Sequence, residues 1–143
     1  MTSPPARRSA LRGLAGLPAT VALPGFAQER QLVLGQSAPT TGPAAQLGIQ
    51  MHHGAKLYFD QFNAQGGVGG RAVELRLLDD GYEPDRCKAN TEQFIKEDVF
   101  ALLGYVGTPT CLAALPLVNQ QRIPFFGPFT GAQALRDPLS KWV

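Results

Sequence analysis

The side chains that could carry out chemistry are few in this sequence, and their spacing does not favour catalysis. Asp79 and Asp80 are adjacent acids that could serve acid–base steps, and Ser37 could act as a nucleophile. A serine nucleophile needs a base within hydrogen-bond reach, but the two histidines, His52 and His53, lie together midway along a predicted helix. The chain also contains no Gly-x-Ser-x-Gly elbow. We therefore predict that the protein is not an enzyme.

Two arrangements that could bind ions are also weak. Neighbouring residues of a helix point in different directions, so we expect His52 and His53 on the surface rather than in a metal site. Glycines cluster at residues 66–70, but a phosphate-binding glycine loop follows a strand and opens a helix. Here the predicted helix comes first and the strand second. The sequence predicts neither a metal site nor a cofactor.

Composition excludes two further classes of protein. Thirteen basic and eleven acidic residues give the 143-residue chain a formal net charge of +2. Arg7, Arg8 and Arg12 hold much of the basic excess, so the remainder is nearly neutral and does not suggest a nucleic-acid partner. No stretch approaches the ~20 apolar residues that a membrane span needs. The length predicts a single domain.

Residues 1–27 have the pattern of an export signal peptide. A basic region that contains Arg7 and Arg8 precedes a mildly apolar stretch at residues 13–23, and small residues follow at the usual cleavage spacing. The paired arginines also resemble a twin-arginine signal, so the general secretory and twin-arginine routes both stay open. The alternative is a basic tail with no targeting role. We predict export to the periplasm and a mature chain of residues 28–143.

The rest of the chain alternates short apolar runs with longer amphipathic stretches, which predicts alternating strands and helices. The predicted elements are strands at 32–36, 73–79, 99–106 and 123–126, and helices at 44–65, 84–97 and 109–117. Strands separated by helices pair in parallel through right-handed crossovers. The predicted fold class is therefore α/β, with a doubly wound parallel sheet.

Three predicted loops, at residues 37–43, 107–110 and 127–131, are rich in glycine and in small hydroxyl side chains. All three leave the carboxyl ends of predicted strands. In open α/β sheets, ligands bind beyond those ends. The three loops together therefore indicate a binding site for a ligand at that edge of the sheet.

Several short motifs, taken in order, carry a family resemblance. They are Gly35-Gln36-Ser37-Ala38-Pro39, Thr41-Gly42-Pro43, Gly54-Ala55 with Phe62-Asn63, Gly66-Gly67-Val68, Leu78-Asp79-Asp80, Gly104-Tyr105-Val106-Gly107-Thr108 and Ile123-Pro124-Phe125. Over residues 31–143 the chain resembles the amino-terminal lobe of a periplasmic solute-binding protein of the leucine/isoleucine/valine-binding type. The resemblance implies two α/β lobes that close on a small solute, such as an amino acid or another carboxylate. It also implies an importer permease in the inner membrane as partner.

The resemblance also implies which residues grip the solute. In such receptors loop hydroxyls and backbone amides of the first lobe hold the polar head, and the matching positions are Gly107, Thr108 and Thr130. The start of the third helix favours a carboxylate, and we expect Thr108 at or near its N-cap. The alternative is that Thr108 only caps the helix and Thr130 only stabilises a turn.

Five more residues at this edge are weaker candidates for solute contact. They are Ser37, Thr40, Thr41, Tyr82 and Phe129. The three hydroxyl residues belong to the first loop, and the two aromatic residues could pack against the solute or serve as local anchors. Phe129 is larger than the leucine-type pocket would predict, so a flat or aromatic acid is an alternative to a branched aliphatic solute.

Cys87 and Cys111 open a further alternative. If the strand order is second, first, third, fourth, the second and third helices lie side by side and both cysteines fall in their first turns. A disulfide between them would stabilise the fold by roughly 3 kcal/mol. The other possibility is a pair of reduced, buried side chains.

The sequence ends at residues 139–143, where a fifth strand is expected to begin. The resemblance therefore predicts a partial lobe, truncated before a hinge and a second lobe. We expect such a lobe to bind its solute weakly or not at all. The alternatives to a transport receptor are the ligand-sensing domain of a receptor or regulator, and a truncated fragment without function.

Overall fold

The computed structural model describes residues 31–143, which form four strands, three helices and one 3₁₀ turn. The elements are β1 (Leu32–Ala38), α1 (Ala45–Ala64), β2 (Val73–Asp79), α2 (Pro84–Lys96), β3 (Ala101–Leu103), α3 (Thr108–Gln121), β4 (Phe125–Phe126) and the 3₁₀ turn Gln133–Leu135. The predicted export signal lies outside the described residues. Within residues 31–143, no helix is long and apolar enough to cross a bilayer.

The predicted elements are all present, and the boundaries differ mainly at the strands. β2 has the predicted bounds, and α1 and α2 each come within one residue of theirs. β3 ends at Leu103, because Gly104 adopts a φ of +63° and leaves the extended conformation. β1 continues through Ser37 and Ala38, which the sequence assigned to a loop. α3 runs on to Gln121, beyond its predicted end.

Local chemistry explains where the helices begin and end. Pro84 opens α2, where its missing N–H costs no hydrogen bond. α1 is followed by Gly66 and Gly67, which both have a positive φ and donate to the carbonyls of the last helical turn. The Asn63 side chain then donates to the Val73 carbonyl and accepts from the Val73 N–H, both at 2.8 Å. The end of α1 is thereby tied to the start of β2.

The four strands form one parallel sheet in the order β2-β1-β3-β4. β1 pairs with β2 from Leu32 opposite Val73 to Ala38 opposite Asp79. On its other side, Leu34 lies opposite Ala101 of β3. The predicted α/β class and parallel, doubly wound sheet are confirmed.

Two consecutive residues of β1 show that helices cover both faces of the sheet. Gly35 lies against the ring of Phe94 in α2, whereas the side chain of Gln36 contacts His52 in α1. Successive side chains of a strand point to opposite faces, so α1 and α2 lie on opposite sides. α3 packs beside α2, so the chain changes face between β1 and β3.

The hydrophobic core lies between the sheet and the pair α2 and α3. Phe94, Leu102, Val118 and Phe125 are fully buried there. The Tyr105 ring meets the Phe125 ring edge-on, with centroids 4.9 Å apart. This arrangement is favourable for aromatic pairs. The core therefore holds α3 to the sheet directly behind the loops that leave β3 and β4.

α1 approaches the end of β1 closely at one glycine. A Cβ at Gly48 would collide with the carbonyl group of Pro39. The position of a Cβ is fixed by the backbone of residue 48, and the Pro39 carbonyl is itself backbone, so no side-chain rotation can relieve that collision. Gly54, six residues further along the same helix, has no atom within 4 Å of a Cβ position.

We predict opposite effects for alanine at these two glycines. Gly48→Ala destabilises the fold by about 1–3 kcal/mol because it overpacks α1 against Pro39. Gly54→Ala stabilises it by about 0.5–1 kcal/mol because an exposed helical glycine is replaced by the best helix former. Urea unfolding of the two variants and the parent measures both effects. Equal stability of the two variants would contradict the close approach.

Candidate functional site

The candidate site lies at the carboxyl edge of the sheet, the edge where β1, β2, β3 and β4 end. β1 and β3 are neighbours there, and the helices that follow them cover opposite faces. A sheet with this topology leaves a crevice between the loop that follows β1 and the loop that follows β3. A shallow concavity of about 300 Å³ lies instead near Val99 and Pro124, at the opposite edge. We place the site at the carboxyl edge, because the hydroxyl groups and the start of α3 converge there.

The start of α3 is open to a ligand. Gly107 occupies the N-cap position with a φ of +106°, and Thr108 is the first helical residue. Within residues 31–143 no side chain caps this end. The buried hydroxyl of Thr110 donates back to the Val106 carbonyl at 2.6 Å. Gly107 donates its N–H to the Phe129 carbonyl and Pro109 has no N–H, so Thr108 and Thr110 hold the first-turn N–H groups that lack a partner inside the helix. Of these two residues Thr108 is exposed, so its N–H can meet an anion.

Thr108 and Thr130, two predicted site residues, are in direct contact. Their Oγ1 atoms are 2.6 Å apart, and the Thr130 hydroxyl also accepts from the Ala132 N–H at 3.1 Å. Phe129 extends the pairing of β3 and β4: its N–H donates to the Tyr105 carbonyl and its carbonyl accepts from the Gly107 N–H. The Phe129 side chain is 56% exposed. Gly107, Thr108, Phe129 and Thr130 are thus connected by hydrogen bonds at this edge; Gly107 is buried, whereas Thr108 and Phe129 are exposed.

Asp79 organises the loop that follows β1. Its carboxylate accepts the N–H groups of Thr40 and Gly81, the hydroxyl of Thr41 and the guanidinium of Arg86, all between 2.7 and 3.0 Å. Burial alone would raise the pKa of Asp79, but these donors outweigh it and hold the pKa well below its usual range. The Thr41 hydroxyl is already engaged by Asp79. Of the first-loop candidates, Thr40 contributes only its N–H to this cluster.

Ser37, a predicted loop residue, lies within β1. It is fully buried in β1, and its hydroxyl donates to Asp80 at 2.8 Å and accepts from the Asn90 amide at 3.1 Å. The Ser37 hydroxyl is thus engaged within the lobe, and its contact with a solute stays a prediction. The strand continues two residues further than its apolar pattern, because β2 supplies backbone partners and Asp80 supplies a partner for the hydroxyl.

Asp80 is a buried carboxylate that holds the neighbouring loop. Besides the Ser37 hydroxyl it accepts the Tyr82 N–H at 2.9 Å. Burial raises the pKa of Asp80, although these two hydrogen bonds act in the opposite direction. The Tyr82 ring lies against Gly107, so the loops after β2 and β3 meet at this point.

A second polar connection, which the sequence reasoning missed, joins β1, β3 and α1. The fully buried Gln36 donates to the Gly104 carbonyl at 3.0 Å and accepts from Nδ1 of His52 at 2.8 Å. His52 is half-buried, which corrects the expectation that it lies on the surface; His53 is exposed. Burial, followed by the charges of His53 and Lys56, lowers the pKa of His52. The position of Gln36 within an otherwise apolar strand was the one sequence feature that could have indicated a buried polar contact.

Cys87 and Cys111 lie in the first turns of two neighbouring helices, as the strand order predicts. Both are fully buried free thiols, so the structure contains the reduced pair and not a disulfide. The Cys111 thiol donates to the Tyr105 carbonyl at 3.7 Å. Burial raises the pKa of each thiol to about 12.

We predict that both thiols are unreactive in the folded chain. The thiolate is the reactive form, and burial suppresses both its formation and its access to reagent. A thiol-specific dye should therefore label no cysteine at neutral pH and both cysteines after unfolding in urea without reductant. If neither cysteine is labelled after unfolding, the chain contains the disulfide instead.

We predict that Asp79→Ala lowers the free energy of unfolding by about 2 kcal/mol near pH 7, because it removes several hydrogen bonds to a charged group. The folded-state pKa of Asp79 is lowered, so its contribution is complete above the unfolded pKa of about 4 and is lost as the pH falls. Urea unfolding over a pH series measures the difference from the parent.

Asp79→Asn is the matched control for that substitution. Asn keeps one carbonyl oxygen as acceptor but loses the charge, so we expect a smaller loss near neutral pH. A deficit of Asp79→Ala that stays constant from neutral to acidic pH would contradict the charged role of Asp79.

Comparison with known proteins identifies the family. The profile of the periplasmic binding protein family matches residues 31–142. The leucine-, isoleucine-, valine-, threonine- and alanine-binding protein of Pseudomonas aeruginosa is 27% identical over 119 residues, which cover 80% of this chain and 32% of that protein.

Solved structures agree with this result. A possible leucine/isoleucine/valine-binding protein from Rhodopirellula baltica is 44% identical with a TM-score of 0.73, covering 76% of this chain and 30% of its own. A solute-binding protein of an ABC transporter from Rhodopseudomonas palustris, solved with 3,4-dihydroxybenzoic acid, is 32% identical with a TM-score of 0.61, covering 66% of this chain and 26% of its own. The chain thus spans 26% to 32% of the length of these three relatives. The described residues form part of a type I periplasmic binding fold, and the chain belongs to the periplasmic binding protein family.

Proposed function

We propose that the chain forms the amino-terminal lobe of the substrate-binding component of an ATP-driven importer. In this role it captures an amino acid or a similar small carboxylate in the periplasm and delivers it to a permease in the inner membrane. The family match over residues 31–142 carries the proposal. The relative from Pseudomonas aeruginosa, an amino-acid-binding protein by its name, supports the solute class.

The geometry of the carboxyl edge supports a carboxylate as the group that is gripped. The first turn of α3 directs N–H groups and the positive end of the helix dipole toward the crevice. The Thr108 and Thr130 hydroxyls lie beside it, 2.6 Å from each other. A carboxylate has two oxygens, so one can accept from the helix and the other from a hydroxyl.

A flat aromatic carboxylate is a second candidate solute, and one side chain favours it. The Phe129 ring is 56% exposed and directly precedes Thr130. A ring in this position can stack on an aromatic solute whose carboxylate reaches α3. The Rhodopseudomonas palustris relative was solved with an aromatic acid, 3,4-dihydroxybenzoic acid.

We predict that L-leucine and benzoate, titrated separately into the ¹⁵N-labelled chain, shift the amide resonances of Thr108, Thr110, Cys111 and Ala132. One lobe supplies only half of a closed cleft, so the expected dissociation constant is about 1 mM. Stronger binding of benzoate would favour the aromatic solute, and stronger binding of leucine the amino acid.

Variants of Thr108 supply the control. Thr108→Val removes the hydroxyl and should weaken binding about tenfold, the usual effect of losing a hydrogen bond to a charged group, while Thr108→Ser should keep the affinity. Isobutylamine, which lacks a carboxylate, should shift none of these resonances. The expected weak binding is contradicted if neither carboxylate shifts them at concentrations well above the millimolar range. The proposed grip on a carboxylate is contradicted if isobutylamine shifts them as strongly as the two carboxylates do.

A further inference from the structure

Tyr82 adopts an unfavourable backbone conformation. Its φ is +69°, in the left-handed region that is unfavourable for a residue with a side chain. Such a conformation persists only where the surroundings enforce it. Glycine at this position would avoid the unfavourable backbone conformation. A tyrosine here therefore indicates that its side chain makes a contact that offsets the strain.

The surroundings that enforce this conformation are two hydrogen bonds to Asp80. The Asp80 carboxylate accepts the Tyr82 N–H at 2.9 Å, and the Asp80 carbonyl accepts the Glu83 N–H, also at 2.9 Å. The carboxylate is fully buried and anchored by the Ser37 hydroxyl in β1. Asp80 therefore connects the loop after β2 rigidly to the central strand of the sheet.

The turn places the Tyr82 ring against Gly107. A Cβ at Gly107 would lie 2.5 Å from Cε2 and 2.7 Å from Cζ of Tyr82. The ring therefore occupies the space in which a side chain of residue 107 would lie. Gly107 is the N-cap of α3, and its N–H is engaged with the Phe129 carbonyl. One side of the loop that opens α3 is thus closed by Tyr82, and the other side by the Phe129 backbone.

We propose that Tyr82 is a positioning residue of the solute site. Held by Asp80, its ring fixes Gly107 and thereby orients the first-turn N–H groups of α3 before solute arrives. This role rests on the proposed function of the carboxyl edge. It differs from direct solute contact, because Tyr82 acts on the solute through the backbone at Gly107.

Substitutions of Tyr82 separate positioning from contact and from stability. Tyr82→Gly removes the ring and also relieves the left-handed strain, so global stability should change little. Tyr82→Phe keeps the ring and loses only the hydroxyl. Asn tolerates the left-handed region. Tyr82→Asn is therefore a second variant without the ring, to be used if the glycine variant fails to fold.

Amide hydrogen exchange without solute is the primary measurement. In Tyr82→Gly we expect faster exchange at Thr110 and Cys111 than in the parent, with an unchanged midpoint of urea unfolding. Tyr82→Phe should match the parent. Benzoate binding, followed by the amide resonances of α3, should weaken about tenfold in Tyr82→Gly and remain unchanged in Tyr82→Phe.

Two results would overturn the positioning role. One is unchanged exchange at Thr110 and Cys111 in both ring-less variants. The other is loss of affinity in Tyr82→Phe equal to that in Tyr82→Gly, which would make the hydroxyl a solute contact. If the parent binds no carboxylate, the expected weak binding by this lobe fails, whereas the exchange comparison still decides whether Tyr82 orders α3.

Discussion

The carboxyl edge depends on two adjacent carboxylates at the end of β2. Successive side chains of a strand point to opposite faces, so Asp79 and Asp80 reach different parts of the molecule. Asp79 collects donors from the loop between β1 and α1. Asp80 reaches the buried face of β1 and holds Tyr82. These acids suggest acid–base chemistry in the sequence, but their hydrogen bonds show a structural role.

The hydrogen bonds of the two carboxylates hold the loops beside α3, so that the start of α3 does not have to anchor them. The loops after β1 and β2 are held by Asp79 and Asp80, and the loop after β3 is held by Tyr82 and by the Phe129 backbone. The first turn of α3 therefore needs no capping side chain. An uncapped helix start agrees with the proposed function, because the N–H of the exposed Thr108 has no partner inside the helix.

Much of this fold could be predicted from the sequence because its signals are local. Apolar runs separated by amphipathic stretches gave the order of strands and helices, and Pro84 and the glycines at 66–70 gave helix limits. Thr108 and Thr130 could be predicted as neighbours, since parallel strands end at one edge. Ser37 could not be placed correctly. Serine is typical of a loop, and only its pairing with Asp80 across the sheet keeps it within β1.

By itself the sequence determined the α/β class, the parallel pairing and the edge of the sheet where the glycine- and hydroxyl-rich loops meet, because hydrophobic periodicity and crossover handedness depend on short segments. Only the tertiary structure decided which polar groups are exposed at that edge and which are buried. The Ser37 hydroxyl is bonded to Asp80, and Gln36 is bonded to His52 and to the Gly104 carbonyl. The Tyr82 ring packs against Gly107. The physical reason is that a buried polar group must find a partner. That partner is often tens of residues away, where no local pattern can reveal it.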